Sequence, residues 1–200
     1  MRLEGSDRIV FVHDTYVLKV NKHGKKANER EEEIYRNASL SLKCFLPETT
    51  ITEEGLTQER VQRDEEGLIE ALLNSFPLFL GGIVESENFK RIRNDSVLFL
   101  SMWVPIWMCL SFKKQGVENI NSTLKRRLQT YQSEMGLDLS WIGNLEFNLE
   151  ELTPLLDLDL EVIQDLHPGN LGYKNQQFKI FDFAGTKKGC YRFLTPLNQP

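Results

Sequence analysis

A chain of 200 residues with 40% apolar and 26% charged side chains has the material of a globular protein able to bury a core. Its net charge of −5 and pI near 5.4 exclude the broad basic face that grips nucleic acid. The short basic clusters at Lys22–Lys26, Lys113–Lys114, Lys125–Arg127 and Lys187–Lys188 read as solvated surface. Cys44, Cys109 and Cys190 are odd in number and form no C-x-x-C pair, which argues against a disulfide framework or a cysteine–zinc site and for a reducing, cytoplasmic setting. The opening "MRLEGSDR" carries charge where a signal peptide has an apolar core. The most apolar run, "VLFLSMWVPIWMCLSF" (97–112), is shorter than the roughly 20 residues of a membrane span. Pro105 interrupts it, so it reads as buried core, and no membrane partner is expected.

In chain order, "RIVFVHDTYVLKV" (8–20) is two β-rich runs split at His13-Asp14-Thr15, a hairpin pattern. "NKHG" then turns the chain into "KKANEREEEIYRNAS" (25–39), too charged for a strand and helical in propensity. A second hairpin is expected over 49–61, turning at Gly55. Helical spacing recurs in 65–76, 116–135 and 147–158, with 116–135 the longest candidate. "QQFKIFDFAG" (176–185) alternates into a short strand. No repeat, low-complexity stretch or clean linker divides the chain. The expectation is one α+β domain over 1–200, with a β-rich lobe over about 1–61 and a mostly helical lobe over about 62–200. A ligand cleft is expected between them.

The chemistry concentrates in "VIQDLHPGNLGY" (162–173) and "FDFAG" (181–185). An Asp, a His and an Asn fall within six residues on a turn broken by Pro and Gly, and a second Asp follows the next strand. Asp165-Leu166-His167-Pro168-Gly169-Asn170 resembles the catalytic loop of the protein-kinase-like superfamily, in the wording of aminoglycoside and choline kinases rather than that of Ser/Thr kinases. Asp182-Phe183-Ala184-Gly185 stands where that family has its metal-binding "DFG", and "VLKV" places Lys19 on a strand like the lysine of "VAIK". The acidic helix "ANEREEEIY" stands in the place of the family's third helix. The resemblance implies a two-lobed kinase-like fold with a reduced first lobe, ATP and Mg²⁺ as ligands, and phosphotransferase activity. The fold is also used for adenylyl transfer with the nucleotide reversed.

The residue types suit those roles physically, because phosphoryl transfer needs positioning and charge neutralisation more than covalent chemistry. Lys19 would hold the α/β-phosphates, and Val17, two residues away on the same strand face, would pack under adenine. A lysine in a cleft needs a carboxylate to fix its rotamer. Glu31, one turn into the helix, is the first choice and Glu32 the second, since adjacent helix positions point about 100° apart. Asn170 and Asp182 supply hard oxygens for Mg²⁺. Asp165 would orient or accept the proton of the attacking hydroxyl. His167 is expected to brace the loop by hydrogen bonding rather than to ligate metal.

Two segments compete to present backbone groups to adenine: Glu59-Arg60-Val61, about thirty residues after Glu31, and Ser101-Met102-Trp103-Val104. No "GxGxxG" precedes Lys19. Only Gly5-Ser6-Asp7-Arg8 stands there, where backbone N–H groups and Arg8 would meet phosphates. After Gly185, fifteen residues remain, with no "APE" segment. The acceptor, a protein or a small molecule, is not written in the motif, and a partner protein is expected to complete the acceptor site. The competing reading is a binding module that uses the fold to hold a protein partner.

Overall fold

The computed structural model describes residues 1–5, 7–135 and 138–183, with no side-chain description for 132–135. Ser6, Ala184, Gly185, Lys187, Lys188 and Cys190 of the sequence reading lie outside the described residues. The architecture is α+β: a five-stranded antiparallel sheet followed by a helical part that carries a two-stranded ribbon.

The sheet is built from β1 (Arg2–Glu4), β2 (Arg8–Val12), β3 (Tyr16–Asn21), β4 (Thr49–Thr52) and β5 (Gly55–Glu59), in the order β1-β2-β3-β5-β4. Both expected hairpins form, and between them α1 (Ala27–Asn37) and the short α2 (Leu40–Lys43) intervene. Register decides what the inner face carries. Lys19 pairs with Val10 on one side and Leu56 on the other, and Val17 pairs with Val12 and Gln58. The strand period of two therefore sets Val10, Val12, Val17, Lys19 and Gln58 on one face. Against that face α1 packs, buries Asn28 and Glu31, and leaves most of its other charges exposed or half-buried.

The helical part comprises α3 (Glu65–Ser75), α4 (Pro77–Glu85), α5 (Glu87–Arg91), α6 (Asp95–Lys114), α7 (Ile120–Met135) and α8 (Leu160–Gln164). α6 runs through its centre. This corrects the reading of Pro105 as an interruption: the helix continues through it, because thirteen of its residues are buried and tertiary burial outweighs one missing backbone donor. At 20 residues, α6 is long and apolar enough to cross a membrane, but 72% of its apolar window is buried inside the fold, as expected of a core helix. The segment expected as a helix over 147–158 is instead a 3₁₀ stretch, Glu150–Asp157, with Pro154 inside it. α4, α5 and α8 were not read from the sequence. Cys44 and Cys109 are free thiols, Cys44 exposed and Cys109 buried.

Three features of this core aim the segments of interest. The Trp107 indole N–H donates to the Ile163 carbonyl at 2.8 Å, holding the end of α8 and hence the turn that begins at Asp165. The ribbon of β6 (Leu171–Lys174) and β7 (Gln177–Ile180) is anchored by Phe178, whose fully buried ring packs on Trp103 and Phe76. Finally, β7 reaches the chain after α2: Ile180 N–H donates to the Phe45 carbonyl at 2.7 Å, and the buried Lys179 ammonium donates to the carbonyls of Cys44 and Leu46. These bonds bring Asp182 beneath the sheet.

The link after β5 runs against β6, where Gln62 and Tyr173 exchange backbone hydrogen bonds at 2.9 Å. Gly172 makes this approach possible, since a Cβ there would lie 2.7 Å from both the Gln62 carbonyl oxygen and Val61 Cγ2. Gly172→Ala should therefore destabilise the protein by about 1–3 kcal/mol, as overpacking does. A urea denaturation series would show it as a lowered midpoint.

Candidate functional site

Between the sheet's inner face and the ribbon lies a cleft of about 820 Å³. Its roof is the valine-rich face, Val10, Val12 and Val17, with Lys19 and Gln58 at the back. Its rear edge is the Glu59–Gln62 link, and its floor includes Gly169, Tyr173, Phe181 and Asp182.

At the back wall stands a buried charge cluster. Glu31 has no exposure, Lys19 is 3% exposed and Arg8 7%. Lys19 Nζ donates to Glu31 Oε1 at 2.7 Å, and Gln58 Nε2 donates to the same oxygen at 2.9 Å. Arg8 donates to Glu31 Oε2 through one guanidinium nitrogen and pairs with Asp182 through the other. Asp182 Oδ1 also lies 3.8 Å from Lys19 Nζ. Of the two carboxylates considered on α1, Glu31 is the partner; Glu32 turns outward to Arg36 at 3.6 Å. Asn28, one turn earlier, donates its side-chain amide to the Lys19 carbonyl at 2.6 Å, while its backbone N–H donates to Asn21 Oδ1. The helix start is thereby laced to the end of β3.

Burial pushes the Lys19 ammonium down to about 8, with the Arg8 charge adding and Glu31 opposing. Burial alone would raise the Glu31 carboxyl, but the Lys19 and Arg8 charges and their hydrogen bonds hold it below its ordinary value. The cluster thus carries two cations and two carboxylates, neutral as a set.

Asp182 adopts a left-handed backbone, φ 56°, a region that Asp tolerates better than most residues, and its side chain is 49% exposed toward the cleft. The turn below it forms a second unit. Asn170 is buried, its side-chain amide donates to the Asp165 carbonyl at 3.2 Å, and its own carbonyl accepts from Phe181 N–H at 2.9 Å. His167 is exposed and its Nδ1 accepts from Gly169 N–H at 3.0 Å, so the ring braces the turn. Asp165 caps the C-terminal end of α8. Neither Asp165 nor Asn170 is among the residues lining the cleft, whereas Lys19, Val17, Glu59, Val61 and Asp182 are.

Of the two segments expected to meet adenine, Glu59–Val61 borders the cleft. Arg60 N–H donates to Thr15 and Gln62 N–H to Tyr173, while Val61 N–H between them has no backbone acceptor among the described residues. Glu59 directs its carboxylate to Lys174 at 2.7 Å. The rival, Ser101–Val104, is corrected: it is buried inside α6, where intrahelical bonding takes up its backbone groups.

Reading the sequence missed Gln58, Asn28 and the Arg63 guanidinium stacked 5.3 Å from the Phe181 ring. None of the three has a local signal: it is the β3–β5 pairing, with Gln58 opposite Val17, that places Gln58 on the inner face. For Mg²⁺ the donor set is two hard oxygens, the Asp182 carboxylate and the Asn170 amide oxygen, the latter left to accept because the amide nitrogen is engaged by Asp165. Asp182 borders the cleft and Asn170 does not, and among the described residues no group of three or more His, Cys, Asp or Glu could hold a metal ion. A metal at Asp182 would therefore take most of its shell from phosphates and water and would need Arg8 to yield the carboxylate.

Removing one side of the cluster should be unequal. Glu31→Gln leaves two buried cations against one carboxylate, a change typically costing about 3–5 kcal/mol, whereas Lys19→Met leaves Glu31 with Arg8 and Gln58 and should cost less. Because folding lowers the Glu31 pKa from 4.5, the unfolded chain takes up the proton first, and stability falls as pH drops below that value. Urea midpoints from pH 7 down to 3 should show this acid-side loss in the native protein and a flatter dependence in Glu31→Gln.

No protein-family model, no curated protein and no solved structure matches this chain.

Proposed function

We propose that this chain is a minimal kinase-like phosphotransferase that binds ATP with Mg²⁺ in the cleft between sheet and ribbon. The observation that carries the reading is the Lys19–Glu31 pair, a strand lysine held by a helix carboxylate, with Asp182 beside it. In protein kinases a β3 lysine, a helix glutamate and a metal-binding aspartate must be in place together for transfer. The two-lobed kinase-like fold is part of the same proposal.

In this reading the valines of β2 and β3 cover the base, and the Glu59–Val61 backbone meets its polar edge. Lys19 holds phosphate oxygens and Glu31 keeps its rotamer. Asp182 and Asn170 would hold Mg²⁺, which when bound neutralises charge on the β- and γ-phosphates. Asp165 touches the acceptor rather than the nucleotide, which suits its place outside the cleft wall. Its carboxylate takes or orients the acceptor proton as the new O–P bond forms, the bond to the β-phosphate oxygen breaks and ADP leaves. The acceptor is a protein or a small molecule, and adenylyl transfer would use the same side chains with the nucleotide reversed.

A second reading, a nucleotide-binding or partner-binding module without turnover, is favoured by one observation: Arg8 and Lys19 already engage the Asp182 carboxylate. Two measurements separate them. Mg-ATP at 100 times its Kd should add about 2.7 kcal/mol of stability, and no thermal shift at millimolar Mg-ATP would remove the enzyme reading. Asp165→Asn should leave ATP affinity nearly unchanged while lowering transfer of radiolabelled phosphate by about 10²–10⁴. Asp182→Asn should weaken Mg-ATP binding as well.

A further inference from the structure

We infer that Arg8 is a resident counter-cation for Asp182, so that the cleft accepts nucleotide without metal and Arg8 passes from Asp182 to the phosphates when metal arrives. The inference rests on the nucleotide reading and adds to it how that site handles charge.

The asymmetry of the Arg8 fork carries the argument. One arm goes to Glu31, which is fully buried and also accepts from Lys19 and Gln58. The other goes to Asp182, half exposed on the cleft floor. If Arg8 swings away, Glu31 retains two donors and stays satisfied, so releasing Arg8 strands no buried carboxylate. Lys19 is held differently: its one short contact is Glu31, and Asp182 lies 3.8 Å away. Arg8 is therefore the cation of the pair whose release strands no buried carboxylate, although it is itself buried behind the residues that line the cleft.

Its origin in the chain points the same way. Arg8 opens β2, directly after the turn in which Gly5 N–H donates to the Arg8 carbonyl. A longer loop would reach over the phosphates from this position; here a guanidinium stands instead, a planar fork that matches phosphate oxygens as well as carboxylates. Without Arg8, Asp182 would keep only the Lys19 ammonium at 3.8 Å as a counter-charge among the described residues, and would oppose the triphosphate more strongly until a metal bound. With Arg8 in place, the cluster is neutral before any ligand enters. When Mg²⁺ takes Asp182, the guanidinium arm it displaces lies beside the phosphates that came with it.

The test is ATP titration by calorimetry on the full chain, in EDTA and in Mg²⁺, with free Mn²⁺ followed by electron paramagnetic resonance. For the native protein, ATP should bind in EDTA within about tenfold of its affinity in Mg²⁺, and Mn²⁺ alone should not be immobilised at submillimolar concentration. Arg8→Met should weaken binding in EDTA at least about tenfold more than in Mg²⁺, because Asp182 then keeps only the more distant Lys19 as a counter-charge until the metal binds. Adding Asp182→Asn to Arg8→Met should bring the two conditions together again. A structural role would weaken both conditions equally, so an unchanged EDTA-to-Mg²⁺ ratio in Arg8→Met overturns the inference while leaving nucleotide binding standing. Tight Mn²⁺ binding by the native protein without nucleotide also overturns it, and that arm holds even if Arg8→Met does not fold. Failure of the native protein to bind ATP in either condition removes the nucleotide reading and this inference together.

Discussion

Glu31 is a carboxylate with no access to water, and the geometry of the whole upper half follows from satisfying it. An ionised carboxylate out of water is tolerated only with charge and hydrogen bonds around it. Its donors come from three strands, Arg8 from the start of β2, Lys19 from β3 and Gln58 from β5, and Glu31 itself rides on α1. The sheet register, the helix placement and the ion cluster are therefore one constraint. A slip of one residue in β3 would turn Lys19 to the opposite face and leave Glu31 without one of its two cations.

The joint between sheet and helical part rests on backbone more than on charge. Gln62 with Tyr173 and Ile180 with Phe45 fix the ribbon to two segments of the upper half, and buried Lys179 adds two carbonyl contacts. Arg30–Glu161 and Lys174–Glu59 also cross the joint, but both pairs are partly exposed, and such pairs contribute little. The cleft is thus shaped by backbone pairing beneath it and by a strand face above it. Its back wall is a buried charge cluster, while the other charges that line it, such as Glu59 with Lys174, are partly exposed. That wall is also where the two halves exchange charge, through Arg8 and Asp182.

This division bears on chemistry. The side chains facing the cleft suit an anion beside an apolar, flat group: valines above, the Lys19 ammonium behind, and at the edge a Val61 N–H with no backbone acceptor among the described residues. The Asp165 turn stands apart from that wall, braced by His167 and by the Asn170 amide. On the proposed kinase-like reading, the nucleotide belongs to the cleft and the acceptor to the Asp165 side of the turn, whose Gly169 still borders the cleft.

Much of this was legible in the chain before folding. Period-two alternation, a Gly55 turn and charge density on 25–39 specify both hairpins and the helix between them, because those signals are local. The kinase-like resemblance pointed Lys19 at a carboxylate on the helix and helix periodicity ranked Glu31 before Glu32, and the wording of the 165–170 turn marked it as chemical. What local signals do not carry is long-range. Pro105 reads as a break until the core closes round α6, and nothing local marks Gln58 until β5 pairs with β3 and turns it toward Glu31. Arg8 could be expected to face an anion, yet which anion was decided by β7 docking on the chain after α2, which carries Asp182 under the sheet. The sequence by itself determined the elements and the kinds of side chain each one offers. Only tertiary packing decided which of those side chains share a low-dielectric space, and there proximity, not residue type, sets how strongly charges act on one another.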